Sequence, residues 1–358
     1  MRAGFLRLLT GACAALSLAG AAGAAAAAER SIWLAGVDPV AGAAQHKGPA
    51  DYMQLFDPGA PWKSAASKTE IFKISTQIAL HGSDAQLNAI IDGLKTRHIK
   101  LAVEMGLVSV SGQAGTCGFG VEGYSPPQSP GNAARRIRAL GGQIDYIAMD
   151  GPVWFGHAAA GLSGGREGCR FSLEEMVDLV SHQIEVMRQY FPDVRVGEIE
   201  PISTSAHAIS QDPHFVEDVI AFADLLEKKS GRKLAFLHAD VGWAWPWKTA
   251  MENMARQAHA RGIRFGVICD GDANASDDAA WVRQAVGRCL DVISDRATFL
   301  DDLIVQSWEP LCRPRCYRKP IQGRLPLRPM PYRSCSEIPT DGIASSNMAA
   351  RMNVARKG

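Results

Sequence analysis

Six carboxylates stand at the ends of apolar, strand-like runs: Asp38, Glu104, Asp150, Glu200, Asp240 and Asp270. An unpaired carboxylate is costly to bury, so this repeated placement points to a polar cleft rather than to core. Paired carboxylates in a cleft suit the hydrolysis of glycosidic bonds. One, protonated, donates to the leaving oxygen, and the other acts as base or nucleophile. The donor must keep its proton near neutral pH, which burial or a neighbouring negative charge brings about. Helix N-capping is the competing explanation, and it is strongest for Asp38 and Asp270.

The elements that must position these groups can be read from hydrophobic patterning. Strand-like runs at 31–37, 71–77, 100–105, 144–150, 194–200, 234–240, 263–270 and 303–308 alternate with amphipathic helical stretches. Eight β-then-α units, spaced by roughly 39 residues, predict a (β/α)8 TIM barrel of the α/β class. A doubly wound open sheet would bring a Gly-rich phosphate loop after its first strand. Here that strand runs into Gly36, Val37, Asp38 and Pro39.

A barrel gathers the C-terminal ends of its strands on one face, where active sites form. Period-two alternation places Asp150, Glu200 and Asp240 on one face of their strands. If that face is inward, Glu198 and His238 lie one layer below and tune the upper layer. The expected catalytic pair is Glu200 as proton donor and Asp150 as nucleophile or base, with Asp240 as the alternative partner. Asp38, Glu104, His238 and Asp270 are expected to contact substrate. Trp154, Trp243, Trp245 and Trp308, beside Phe155 and Trp247, offer flat rings to the apolar faces of sugars. Tyr52, Phe56 and Trp62 in the first long loop could extend the groove.

The 358 residues carry a net charge of +1 and are 47% hydrophobic. That balance affords a large core and argues against partners held by bulk electrostatics, such as nucleic acid or a membrane surface. Residues 1–28 read as a signal peptide, with Arg2 and Arg7 before an apolar stretch and an Ala-rich cleavage region. The barrel is assigned to 29–308 and an irregular Arg/Pro-rich tail to 309–358. No later run is apolar and long enough to span a bilayer. A secreted or periplasmic location follows, and it permits disulfides. Of eight cysteines, Cys117 and Cys169 lie in loops after consecutive strands and are the expected pair. Cys269 and Cys289 read as buried free thiols.

Four segments resemble the glycoside hydrolase superfamily of TIM barrels: 145–152 (DYIAMDGP), 196–201 (VGEIEP), 238–240 (HAD) and 306–308 (QSW). The resemblance covers about residues 31–308. It implies a sugar-cleaving barrel acting on a polysaccharide or oligosaccharide, with no metal or other cofactor. Asp150 and Asp270 stand where the best-known retaining clan carries Glu. A clan that uses Asp at strands four and six matches Asp150 and Asp240. Two other classes stay open at this point. One is a non-catalytic carbohydrate-binding barrel. The other is a metal-dependent barrel enzyme holding Mg²⁺ or Mn²⁺ with Glu104, Asp150, Glu200, His238, Asp240 and Asp270. No His-x-His or His-Glu-x-x-His spacing favours zinc.

Overall fold

A computed structural model describes residues 30–44, 52–158, 167–202, 214–272, 275–276, 278–295 and 299–307. The expected leader, the tail and Trp308 lie outside the described residues. Eight parallel strands close into a barrel. They are β1 (Ser31–Ala35), β2 (Ile71–Ser75), β3 (Lys100–Met105), β6 (Tyr146–Asp150), β7 (Arg195–Ile202), β8 (Phe236–Val241), β9 (Arg264–Cys269) and β10 (Asp302–Gln306). Pairing of Ser31 with Asp302 and of Trp33 with Ile71 shuts the ring. Two short strands, β4 (Val108–Ser109) and β5 (Tyr124–Ser125), pair in the long loop after β3.

Helices cover the outside: α3 (Thr76–His81), α4 (Asp84–Thr96), α5 (Ser129–Ala139), α6 (Leu173–Arg188), α7 (Phe215–Ser230), α8 (Lys248–Ala260) and α9 (Asp278–Ser294). Short helices α1 (Pro39–Ala44) and α2 (Lys63–Ala66) lie in the first long connection. Capping boxes start α4 at Ser83 with Gln86 and α6 at Ser172 with Glu175, so the first orphan N–H groups are satisfied by side chains.

Two apolar layers result from alternation along the strands. Trp33, Ile71, Ala102, Tyr146, Ala148, Ile199, Phe236, Ile268 and Ile304 fill the barrel. Val196, Ile202, Leu237, Ala239, Phe265 and Val267 face the helices instead. Interior packing pairs large with small. A Cβ on Gly197 would stand 2.4 Å from the Phe236 ring, so only glycine leaves that ring its place.

The expected Cys117–Cys169 disulfide is present, with Cα atoms 4.9 Å apart. Cys269 and Cys289 are joined as well, in place of the expected free thiols. The reason is that α9 packs back on β9 and brings the two sulfurs together. The first bond ties the loop carrying Phe119 and Glu122 to the segment before α6. The Gly118 N–H supports it by donating to the Glu167 carbonyl at 2.8 Å. Replacing both cysteines of this pair by serine opens a closure of 52 residues. The expected cost is about 2–4 kcal/mol in denaturant melts, with faster hydrogen exchange confined to this loop. An unchanged melt and unchanged exchange would refute that role.

Candidate active site

Inward-facing residues at the C-terminal ends of the strands line an open cleft of about 1030 Å³. Its carboxylates are Asp38, Glu104, Glu122, Asp150 and Asp240. Lys73 projects into the barrel from β2, where it is 2% exposed and ion-paired to Glu104. The Thr76 hydroxyl donates to the Glu104 carbonyl at 2.7 Å and secures the end of β3.

Asp150 is held in a crowded negative environment. Burial first, then the charges of Glu104, Glu122 and Asp240, push its carboxyl well above the usual carboxylate range, against the pull of Lys73. Asp240 is pushed up to about 7, by burial and then by the charge of Asp270. Glu122, at the cleft rim, is raised by desolvation and then by Glu104. Its position comes from a close crossing of backbones. Gly123 has φ +82°, and a Cβ there would stand 2.8 Å from the Asp150 carbonyl, so the loop carrying Glu122 passes directly over the end of β6. Aromatic groups at the cleft are Phe119, Tyr124 and Phe155. The Tyr124 hydroxyl donates to the Phe155 carbonyl at 2.9 Å and receives the Cys169 N–H at 2.7 Å.

Other expected residues are placed elsewhere. Glu200 does not face the cleft. Ile199 fills the barrel, so alternation sends Glu198 and Glu200 outward, between β7 and the π-helical turn Pro152–His157. There Glu200 is fully buried and accepts the N–H groups of Val153 at 2.7 Å and Trp154 at 3.1 Å. Burial pushes it up to about 7, with neighbouring Glu198 and the N–H groups of Val153 and Trp154 drawing it back. Glu198 is raised well above its ordinary range, by burial and then by Glu200. The expected proton donor is thus a clamp on the turn that follows Asp150.

Asp38 caps α1, accepting from the N–H groups of Val40 and Ala41 at 2.9 Å each and from the Ser75 hydroxyl. Asp270 does not line the cleft. It pairs with Arg288 at 3.0 Å, and Arg288 in turn lies over the Trp243 ring. His238 faces inward below Asp240. It bonds Asp302 at 3.1 Å rather than the upper carboxylates, stacks on Phe236, and is kept neutral by burial. Arg264 closes that lower network on Asp302 at 2.6 Å.

Trp154 is buried against Phe215 and offers no face to the cleft. Trp243 and Trp247 pack edge to face, while Trp245 is 47% exposed. None of these three lines the cleft. Tyr52, Phe56 and Trp62 are core residues around Phe72. Lys73, Glu122 and Gln306, all cleft residues, were not among the expected site residues. A lysine between Phe72 and Ile74 in an otherwise apolar strand was the available signal for the first.

Among the described residues, no group of three or more His, Cys, Asp or Glu side chains is arranged to hold a metal ion. No described helix is long and apolar enough to cross a membrane.

These raised carboxyls set a pH dependence of stability. Asp150, Glu198, Glu200 and Asp240 each bind a proton more tightly folded than unfolded. Between the ordinary carboxylate range and about 7 the folded state therefore holds more protons, and stability falls as pH rises through that window. His238 works in the opposite sense, since its lowered value favours folding as pH rises. Asp302, lowered, loses its contribution only in stronger acid. Four carboxyls outweigh one imidazole, so the melting temperature is expected to be higher at pH about 5 than at about 7.5. A higher value at the alkaline end would contradict this balance.

The fold and cleft define a (β/α)8 barrel with an acidic site at the C-terminal ends of its strands. No protein-family profile matches the chain, and no curated protein matches it. Its fold is similar to that of a psychrophilic glycoside hydrolase family 10 endo-beta-1,4-xylanase, at 10% identity and TM-score 0.47, over 78% of this chain and 86% of that one. A beta-glucosidase from Thermotoga maritima is similar at 10% identity and TM-score 0.44, over 79% and 88%. The carboxyl transferase domain of Rhizobium etli pyruvate carboxylase is similar at 11% identity and TM-score 0.44, over 78% of this chain and 40% of that one. At these values the likenesses carry no argument about chemistry.

Proposed function

We propose that this protein is a glycoside hydrolase acting on a polysaccharide or oligosaccharide, with Asp150 and Asp240 as the catalytic pair. One observation carries the reading: two inward carboxyls share an open cleft and have unequal surroundings. Asp150, surrounded by Glu104, Glu122 and Asp240, holds its proton and donates it to the leaving glycosidic oxygen. Asp240 is half ionised near pH 7 and takes the proton of the attacking water, or attacks the anomeric carbon itself. Lys73 holds Glu104 beside them as a fixed ion pair. Phe119, Tyr124 and Phe155 supply apolar surface for sugar faces. Two disulfides support export to an oxidising compartment.

The pH profile tests the division of roles. Hydrolysis is expected to rise through a limb near pH 7 as Asp240 ionises, and to fall at higher pH as Asp150 loses its proton. Asp240→Asn is expected to lose about 10²–10⁴-fold in rate, with partial rescue by azide or formate. The anomer of the product, followed by NMR, tells base from nucleophile. Full activity of the variant across the pH range would remove Asp240 from the mechanism.

A further inference from the structure

We infer that the substrate is a neutral polysaccharide cut at internal bonds, its chain crossing the barrel mouth between two aromatic platforms, Phe119 and Trp245. The inference rests on the reading of Asp150 and Asp240 as the catalytic pair, and it names the form of substrate that pair meets.

The first support is where the exposed rings lie. Among the described residues, three large hydrophobic side chains are exposed: Phe119 at 40%, Trp245 at 47% and Phe299 at 44%. Phe299 precedes β10, at the end of the barrel away from the cleft, and packs against His259. Phe119 and Trp245 follow β3 and β8, so both stand on the cleft face. Around the ring, β6 and β7 separate those two strands. Asp150 ends β6, and Asp240 lies on β8. Phe119 therefore stands one strand outside Asp150, and Trp245 continues the strand that carries Asp240. The catalytic pair lies between the two rings.

Phe119 lines the cleft, and Trp245 stands beyond it. The Trp245 N–H donates to the Gly242 carbonyl at 3.0 Å and closes a turn. Two extended steps from Asp240 and that turn keep the Trp245 Cα within about 14 Å of the Asp240 Cα. A ring there meets sugars beyond the one at the point of cleavage.

The second support is that both rings are held in place. Phe119 follows Cys117 by two residues, and Cys117 is bonded to Cys169. A Cβ on Gly118 would stand 2.5 Å from the Tyr124 ring, so the backbone beside Phe119 is seated against that ring. Trp245 sits between Trp243 and Trp247, which pack edge to face under Arg288 and Lys248. A ring already fixed binds without the ordering cost that a loose loop carries.

The geometry also selects the occupant. Rings that stand singly do not make the contiguous apolar patch that a protein partner covers. Each matches the apolar face of one sugar ring. Asp38, Glu104 and Glu122 line the same cleft and repel a polyanionic chain. Platforms on both sides of the pair hold the chain on both sides of the scissile bond, so cleavage falls inside it.

The test compares the wild type with Phe119→Ala and Trp245→Ala on soluble xylan, mannan, mixed-linkage β-glucan and starch, and on the end-labelled hexasaccharide of whichever is cleaved. Viscosity is expected to fall before reducing ends accumulate. Trp245→Ala is expected to raise KM for the polymer by about tenfold or more, with a far smaller effect on the shortest oligosaccharide cleaved. The two alanine variants should move the bond cut in the hexasaccharide in opposite directions, and Trp245→Phe should restore it. A purely structural role would slow all lengths alike and leave the bond cut unchanged. Release of small sugars from chain ends alone, or an unchanged bond in both variants, overturns the inference and leaves the hydrolase standing. If the wild type cleaves no polymer, affinity electrophoresis in gels containing each one decides. Retardation lost in both variants keeps the chain path and sinks the hydrolase. Retardation that both variants retain, or none with any polymer, removes both.

Discussion

Asp150→Asn is expected to abolish most hydrolysis, by about 10²–10⁴-fold in kcat, while leaving the fold intact. Asn fills the same volume at the end of β6 but cannot donate a carboxylic proton. It also removes the cost of a carboxyl that ionises freely in the unfolded chain but is held protonated in a site crowded by Glu104, Glu122 and Asp240. The variant should therefore melt no lower than the wild type at neutral pH. That combination, activity lost and stability kept, separates a catalytic carboxyl from a structural one. A variant with wild-type rates would leave the cleft without its proton donor.

Glu200 is expected to behave in the opposite way. Glu200→Gln keeps the volume but places an amide NH₂ against one of the Val153 and Trp154 N–H donors. A buried donor left facing another donor costs about 1–3 kcal/mol. The expected destabilisation is about 1–3 kcal/mol in urea melts. The variant should also show a shallower loss of stability as pH rises, because one of the raised carboxyls is gone. Activity of the folded fraction should fall far less than for Asp150→Asn, since Glu200 touches no part of the cleft. If Glu200→Gln were as stable as the wild type yet inactive, the catalytic role expected from the sequence would be restored.

The contrast between these two residues marks what the sequence carries. The eight strands are legible because each is an apolar run closed by a polar or turn residue. Asp150 at the end of β6 and Asp240 on β8 fall inward as expected. β7 is different. Its alternation places Val196, Glu198, Glu200 and Ile202 on one face and Gly197, Ile199 and Pro201 on the other. Both sets carry a bulky aliphatic, so local pattern does not say which faces the axis. The barrel decides it, because only Gly197 leaves room for the Phe236 ring. Acidic residues alone suggested the wrong phase.

Loop residues were harder still. Glu122 reaches the site only because β4 and β5 fold the loop back and Gly123 lets it cross β6. Neither event has a local signature beyond a glycine. Trp154 follows Asp150 by four residues and looked like a rim ring. The π-helical turn held by Glu200 swings it under α7 instead. The disulfide between Cys269 and Cys289 depended on how α9 lies on its own strand, which spacing alone does not define.

The central claim is that this cleft cleaves glycosidic bonds with Asp150 as the acid. Its most direct test is incubation of the wild-type protein and Asp150→Asn with an oligosaccharide panel in ¹⁸O-labelled water, with products read by mass spectrometry. The account predicts shorter oligosaccharides from the wild type, each new reducing end carrying one ¹⁸O, and almost none from the variant. Intact oligosaccharides from the wild type, or equal product from both proteins, would contradict it.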